Sequence, residues 1–155
     1  MIKNLADCIE IILSGTDEER EKLHQTFFKL ADTSQFLKNL GLKGEYFTIR
    51  YGVISHHKGK NADHNYTIDE WRQISEKINW PVMITKYKDN FNIYLDIFKN
   101  SKLTLVGVEV KQVNKELFVN NVKTVFAKNN RENESIIWKK YNRPSVMSDE
   151  AQSPS

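Results

Sequence analysis

Glu45-Tyr46-Phe47-Thr48-Ile49-Arg50-Tyr51-Gly52-Val53 is the stretch on which the fold turns, because the hydrophobic period changes there. Phe47, Ile49, Tyr51 and Val53 alternate with Tyr46, Thr48, Arg50 and Gly52, the two-residue repeat of a half-buried strand. The residues before it repeat at helical spacing instead. Thr16-Asp17-Glu18-Glu19 reads as a capping box, and Leu23, Phe27, Leu30 and Ala31 follow it, which predicts a helix over about 17–31. Ser34 caps a shorter helix that turns Phe36, Leu37 and Leu40 inward and stops at Gly41 and Gly44. The first fifteen residues are amphipathic, but Asp7 and Glu10 interrupt any signal-peptide core.

Beyond Val53 a second capping box, Thr67 with Glu70, opens a helix with the apolar stripe Ile68, Trp71, Ile74 and Ile78. Asn79-Trp80-Pro81 ends it, since proline disfavours helical geometry in the residue before it. Three strand-like runs follow, Val82 to Lys88, Phe91 to Phe98 and Leu103 to Lys111, joined by short polar turns, and a fourth extends from Phe118 to Lys128. A short helix opening at Asn133 and Glu134 is expected to bury Ile136, Ile137 and Trp138. Short connections demand antiparallel neighbours, so the expected class is α+β, with N-terminal helices packed on a four- to five-stranded antiparallel sheet. The expected organisation is one compact domain: a helical segment at 1–44, a core at 45–143 and a tail at 144–155.

At 155 residues, 39% hydrophobic and 28% charged, the chain has the composition of a soluble globular domain. No apolar run approaches the roughly 20 residues of a membrane span. One cysteine, Cys8, excludes an internal disulfide and a cysteine zinc site, and suits a reducing compartment. The net charge of +3 is unevenly spread. Residues 1–45 carry six basic and eight acidic side chains, and 46–155 carry seventeen and twelve, which points to a polyanionic partner for the later part.

His56, His57 and His64 cluster between the first strand and the second capped helix. Imidazole exchanges protons near neutrality, so such a loop suits acid–base chemistry, metal binding or simply a solvated turn. His57, His64 and Asp63 would supply three metal ligands if the loop folded back, but the chain lacks a helix-spaced pair such as H-E-x-x-H, and no metal or cofactor is expected. On the last strand, plain alternation sets Thr124 on one face with Val122 and Phe126, and Lys123 on the other with Val125. The tyrosines at 46, 51, 66, 87 and 94 allow a different use of a basic sheet, stacking against nucleic acid or binding a protein without cutting anything.

The order of strand, His64-Asn65-Tyr66-Thr67-Ile68-Asp69-Glu70, Ile78-Asn79-Trp80-Pro81 and Asn121-Val122-Lys123-Thr124-Val125-Phe126-Ala127-Lys128, with Trp138 after it, resembles the phage-associated branch of the Barnase, EndoU, colicin and RelE-like (BECR) nucleases. The resemblance spans about residues 46–145. It implies a BECR-like fold and a metal-independent endoribonuclease toxin domain, carried by a phage or mobile element, that cleaves cytoplasmic RNA by 2′-OH attack to leave a 2′,3′-cyclic phosphate. His64 and His57 would transfer the protons and Thr124 would bond a nonbridging oxygen. Lys58, Lys60, Lys123 and Lys128 would hold the phosphate. RNA is the implied partner, with an immunity or antitoxin protein as a second; no membrane is involved, and the sequence sets no oligomeric state. Two positions depart from the pattern: Asp63 stands where a lysine is expected before the histidine, and Thr124 replaces a serine. The alternative is a non-catalytic nucleic-acid- or protein-binding module, a degenerate nuclease.

Overall fold

The computed structural model describes residues 2–55, 66–128 and 134–140. Its strands are β1 (Lys3–Asn4), β2 (Phe27–Asp32), β3 (Tyr46–Arg50), β4 (Met83–Tyr87), β5 (Asn90–Lys99), β6 (Lys102–Gln112), β7 (Phe118–Ala127) and β8 (Ser135–Lys139). Its helices are α1 (Leu5–Ser14), α2 (Asp17–Glu21), α3 (Gln35–Asn39), α4 (Tyr51–Ser55) and α5 (Ile68–Lys77). All eight strands join one sheet in the order β1-β2-β3-β7-β6-β5-β4-β8. The pairs β1–β2 and β3–β7 are parallel and the others antiparallel.

This mixed eight-stranded sheet corrects the expected fold class, a four- to five-stranded antiparallel sheet under N-terminal helices. The meander formed as expected in β4 to β7. The extra strands come from segments that sequence spacing assigns to helices. Both halves of the Thr16–Glu19 capping box form, but α2 lasts only five residues. Phe27 to Asp32 then runs as a strand, because Phe28 and Leu30 bury at two-residue spacing while Phe27 stays 45% exposed. A helix through 31 would have needed Phe27 inside; pairing with β3 outweighed the local preference. Ser135 to Lys139 likewise forms β8 and pairs with β4, satisfying backbone groups that a terminal helix would have left on an open edge. The strand that begins at Tyr46 ends at Arg50, and α4 takes up Tyr51 to Ser55.

The buried side chains of α1, α3, α4 and α5 all enter one core against one face of the sheet, with Phe28, Phe47, Ile49, Ile84, Ile93, Val106, Val108, Val122 and Val125 opposite them. Trp71 on α5 is 1% exposed in that core. One buried amide fastens the turn between α3 and β3 to β7. Asn120 donates to the Thr33 hydroxyl (2.9 Å) and the carbonyls of Leu42 (3.2 Å) and Gly44 (3.3 Å), and accepts from the Gly44 amide (3.0 Å). Gly44 is required there, since a Cβ would lie 2.4 Å from the Asn120 backbone nitrogen. No described helix is long and apolar enough to cross a membrane.

Candidate functional site: the second face of the sheet

Side chains alternate across a strand, so the residues between the core positions must face the other way. On β7 that alternation is broken once. Val122 pairs with Val108 and Thr124 with Gly107, so Lys123 is a bulge residue between them. The bulge puts Val122 and Val125 both in the helix-side core, and turns Thr124 and Phe126 to the second face. Thr124 and Val122 therefore lie on opposite faces, which corrects the plain alternation. Lys123 is exposed and reaches the second face as well, its Nζ 3.8 Å from a Glu109 carboxylate oxygen.

Thr124 is half-buried and its methyl packs over Gly107: a Cβ on that glycine would lie only 2.7 Å from Thr124 Cγ2. The same row continues through Asn92 and Thr85. There the Glu134 carboxylate accepts from Thr85 Oγ1 (3.0 Å), from the Tyr94 hydroxyl (2.7 Å) and from the Asn92 amide. The next row holds Phe126, Leu105, Tyr94 and Met83, which make a small second core with Val82 and Leu103. In the row on the other side of Thr124, Thr48 donates to Asn121 Oδ1 at 3.1 Å.

The register and the side-chain contacts together place six cations on this face, Lys29, Arg50, Lys111, Lys123, Lys128 and Lys139, against the carboxylates Asp32, Glu109 and Glu134. The five described helices carry the opposite excess, nine carboxylates to four cations. Three of the four exposed aromatics among the described residues fall on the second face: Phe27, Tyr87 and Phe98 are 45%, 48% and 65% exposed, and the ladder places all three there, while Trp80, 46% exposed, follows α5. Lysines cover two more rings: Lys29 Nζ lies 5.3 Å from the Tyr46 ring centre and Lys128 Nζ 5.8 Å from that of Phe126.

Of the sequence-predicted site residues, Thr124, Lys123 and Lys128 come together on this face. His57, His64, Lys58 and Lys60 lie outside the described residues, and so does Asp63. The described residue after that segment, Tyr66, is buried in the helical layer and hydrogen-bonded to Thr104 Oγ1 at 2.9 Å. Lys99 sits 4.9 Å from its ring centre and bonds Glu70 Oε1 at 2.8 Å, which ties the start of α5 to the end of β5. Burial opposes charge on Glu70, but the Lys99 ammonium and the Thr67 capping bonds outweigh it and hold its pKa below the ordinary carboxylate value. The depression of about 520 Å³ beside Tyr66 is rimmed by Glu10, Asp69 and Arg72, whose guanidinium lies 3.1 Å from Glu10 and 3.8 Å from Asp69. Among the described residues no three His, Cys, Asp or Glu side chains are grouped as metal ligands.

Sequence reasoning missed Phe27, Phe98, Lys29, Arg50, Gly107 and Glu134 at this face. The signal for Phe98 was present, because Phe91, Ile93, Leu95 and Ile97 are the β5 positions buried on the helical side and leave Phe98 on the opposite side. The signal for the bulge was the pair Lys123-Thr124 between two apolar positions three residues apart. Comparison with protein families, with curated proteins and with solved structures gave no match to this chain.

Proposed function

We propose that this chain binds single-stranded RNA across the second face of its sheet. The observation that carries the reading is the coincidence of charge and rings: six cations and three of the four exposed aromatic side chains among the described residues share the face on which no described helix packs, while the described helices are acidic. A charge division of this kind orients a polyanion before contact. Exposed rings add stacking energy only for bases that are not already paired, which favours a single strand over a duplex. The experiment is an anisotropy titration of a labelled oligouridylate at several salt concentrations. Replacing Arg50, Lys123 and Lys128 together by glutamine should weaken binding and flatten the dependence of log K on log salt by roughly 2, at about 0.7 per lost phosphate contact on a single strand. Equal affinity and slope would refute the assignment of this face.

Cleavage is a second, narrower proposal, favoured by one arrangement. The alcohol of Thr124 and the ammonium groups of Lys123 and Lys128 lie on one strand and one face, while Tyr66, which follows the histidine segment, is anchored to Thr104 on the helical side of the sheet. In this reading His57 and His64 take the proton from the 2′-OH and give one to the 5′-oxygen. Thr124 bonds a nonbridging oxygen, and Lys58, Lys60, Lys123 and Lys128 neutralise the phosphate. The RNA supplies its own nucleophile, so no cofactor enters the step. Cytoplasmic RNA is the substrate, and an immunity or antitoxin protein is the partner that would restrain it. Products ending in 2′,3′-cyclic phosphate, lost roughly 10²-fold or more in His64→Ala, support this reading. Intact RNA after prolonged incubation leaves the binding module alone.

A further inference from the structure

Phe98 is the most exposed of the large apolar side chains on this face, at 65%. It is the penultimate residue of β5, where the ladder is irregular between Leu95 and Phe98, and lies just before a tight turn in which Asn100 and Ser101 have φ of 52° and 65°. Across the hairpin it pairs with Leu103, and the Leu103 carbonyl accepts the backbone N–H of Lys128 at 2.8 Å. Phe98, Leu103 and Lys128 thus form one row across β5, β6 and the end of β7. Phe126 lies in the next row, with the Lys128 ammonium over its ring.

A lone exposed phenylalanine is ordinary on a protein surface. This one is not isolated, because Leu103 and Phe126 extend its apolar area back to the second core and Lys128 adds a cation at its margin. A flat apolar ring with a positive charge beside it fits a nucleobase joined to its phosphate. The Phe126 ring already carries the ammonium of Lys128, so Phe98 is the ring left for stacking. Resting on the reading that this face takes single-stranded RNA, we propose that Phe98, Leu103, Phe126 and Lys128 form a subsite for one unpaired nucleobase. The base stacks on Phe98 and its phosphate lies toward Lys128.

The subsite marks one end of the bound strand. Lys128 closes the row at the end of β7, and from there the second face continues through Thr124 and Asn121 toward β3 and β2. The seven residue steps from Asn121 to Lys128 cover roughly 23 Å at about 3.3 Å per residue. Bases beyond the first would then meet Thr124, Lys123 and the Lys29–Tyr46 pair in turn.

The test uses the full chain and an RNA of about eight nucleotides, within the usual range of such sites. A single 2-aminopurine is placed at successive positions. The subsite predicts quenching strongest at one terminal position. Phe98→Ala should abolish that quenching and weaken binding roughly 5- to 150-fold, whereas Phe98→Trp and Phe98→Tyr should keep both. The same sequence annealed to its complement should show neither effect. If Phe98→Ala binds within twofold of the parent with quenching unchanged, while affinity still falls steeply with salt, the subsite is refuted and the reading of the face stands. If the parent chain fails to bind the oligonucleotide even at low salt, both are refuted. Phe98 is largely exposed, so loss of folding does not confuse the result, and an unchanged urea midpoint checks this.

Discussion

Gly107→Ala is the perturbation that interrogates the bulge of β7 most sharply. The added Cβ would lie 2.7 Å from Thr124 Cγ2, against the 3.5–4.0 Å at which carbon atoms rest. Its other neighbours, Asn92 Oδ1 at 3.5 Å and the Thr124 carbonyl at 3.8 Å, are ordinary contacts. Alanine should gain roughly 0.5–1 kcal/mol over glycine in a strand through lost unfolded-state freedom. Overpacking against a methyl held on a paired strand costs about 1–3 kcal/mol, so the net expectation is a loss of about 1–2 kcal/mol. Thr124→Ser removes that methyl and keeps the hydroxyl. In its background Gly107→Ala should become neutral or mildly stabilising, giving a coupling of roughly 1–3 kcal/mol between the two sites. Urea unfolding of the parent, both single variants and the double variant measures it. Additivity within about 0.5 kcal/mol would refute the reasoning, because Thr124 would then not lie over Gly107 and its face would be wrongly assigned.

Other consequences can be measured on stability alone. Asn120→Ala should cost about 2–4 kcal/mol in a urea titration, since it strands the buried Gly44 amide and the partners of the carboxamide around it. Glu70 has a folded pKa below its unfolded value, so its contribution is fully present above about pH 4.5 and is lost as pH falls through the folded pKa. Glu70→Gln should therefore be less stable than the parent at pH 7 and converge with it in strong acid; a constant gap across that range would contradict the ion pair with Lys99. Trp71→Ala, which empties a site 1% exposed between α5 and the sheet, should cost roughly 3–5 kcal/mol by the same assay, and a loss under 1 kcal/mol would show that the helical layer is not packed there.

Local chemistry was legible wherever it did not compete with pairing. Both capping boxes form at Thr16 and Thr67, where two hydrogen bonds within four residues decide the matter. The meander from Met83 to Gln112 and the strand ending at Ala127 were marked by alternation and polar turns. Phe27 to Asp32 and Ser135 to Lys139 were not, because their strand state depends on distant partners, β3 and β4, that no local window contains. The same limit hid the face of Thr124. A one-residue bulge at Lys123 reverses every later side chain, and the three-residue gap between Val122 and Val125 marks it only once both valines are known to be buried. The three residues proposed for β7 share a face because of that bulge, and the histidines proposed with them lie outside the described residues.

Photo-crosslinking a 4-thiouridine oligoribonucleotide to the chain, with the attached peptides sequenced, tests the central claim most directly. Crosslinks on Phe27, Tyr87, Phe98, Phe126 and their strand neighbours, competed by single-stranded but not duplex RNA, are the predicted result. Crosslinks confined to α1, α2 and α5, or none at low salt, would contradict it.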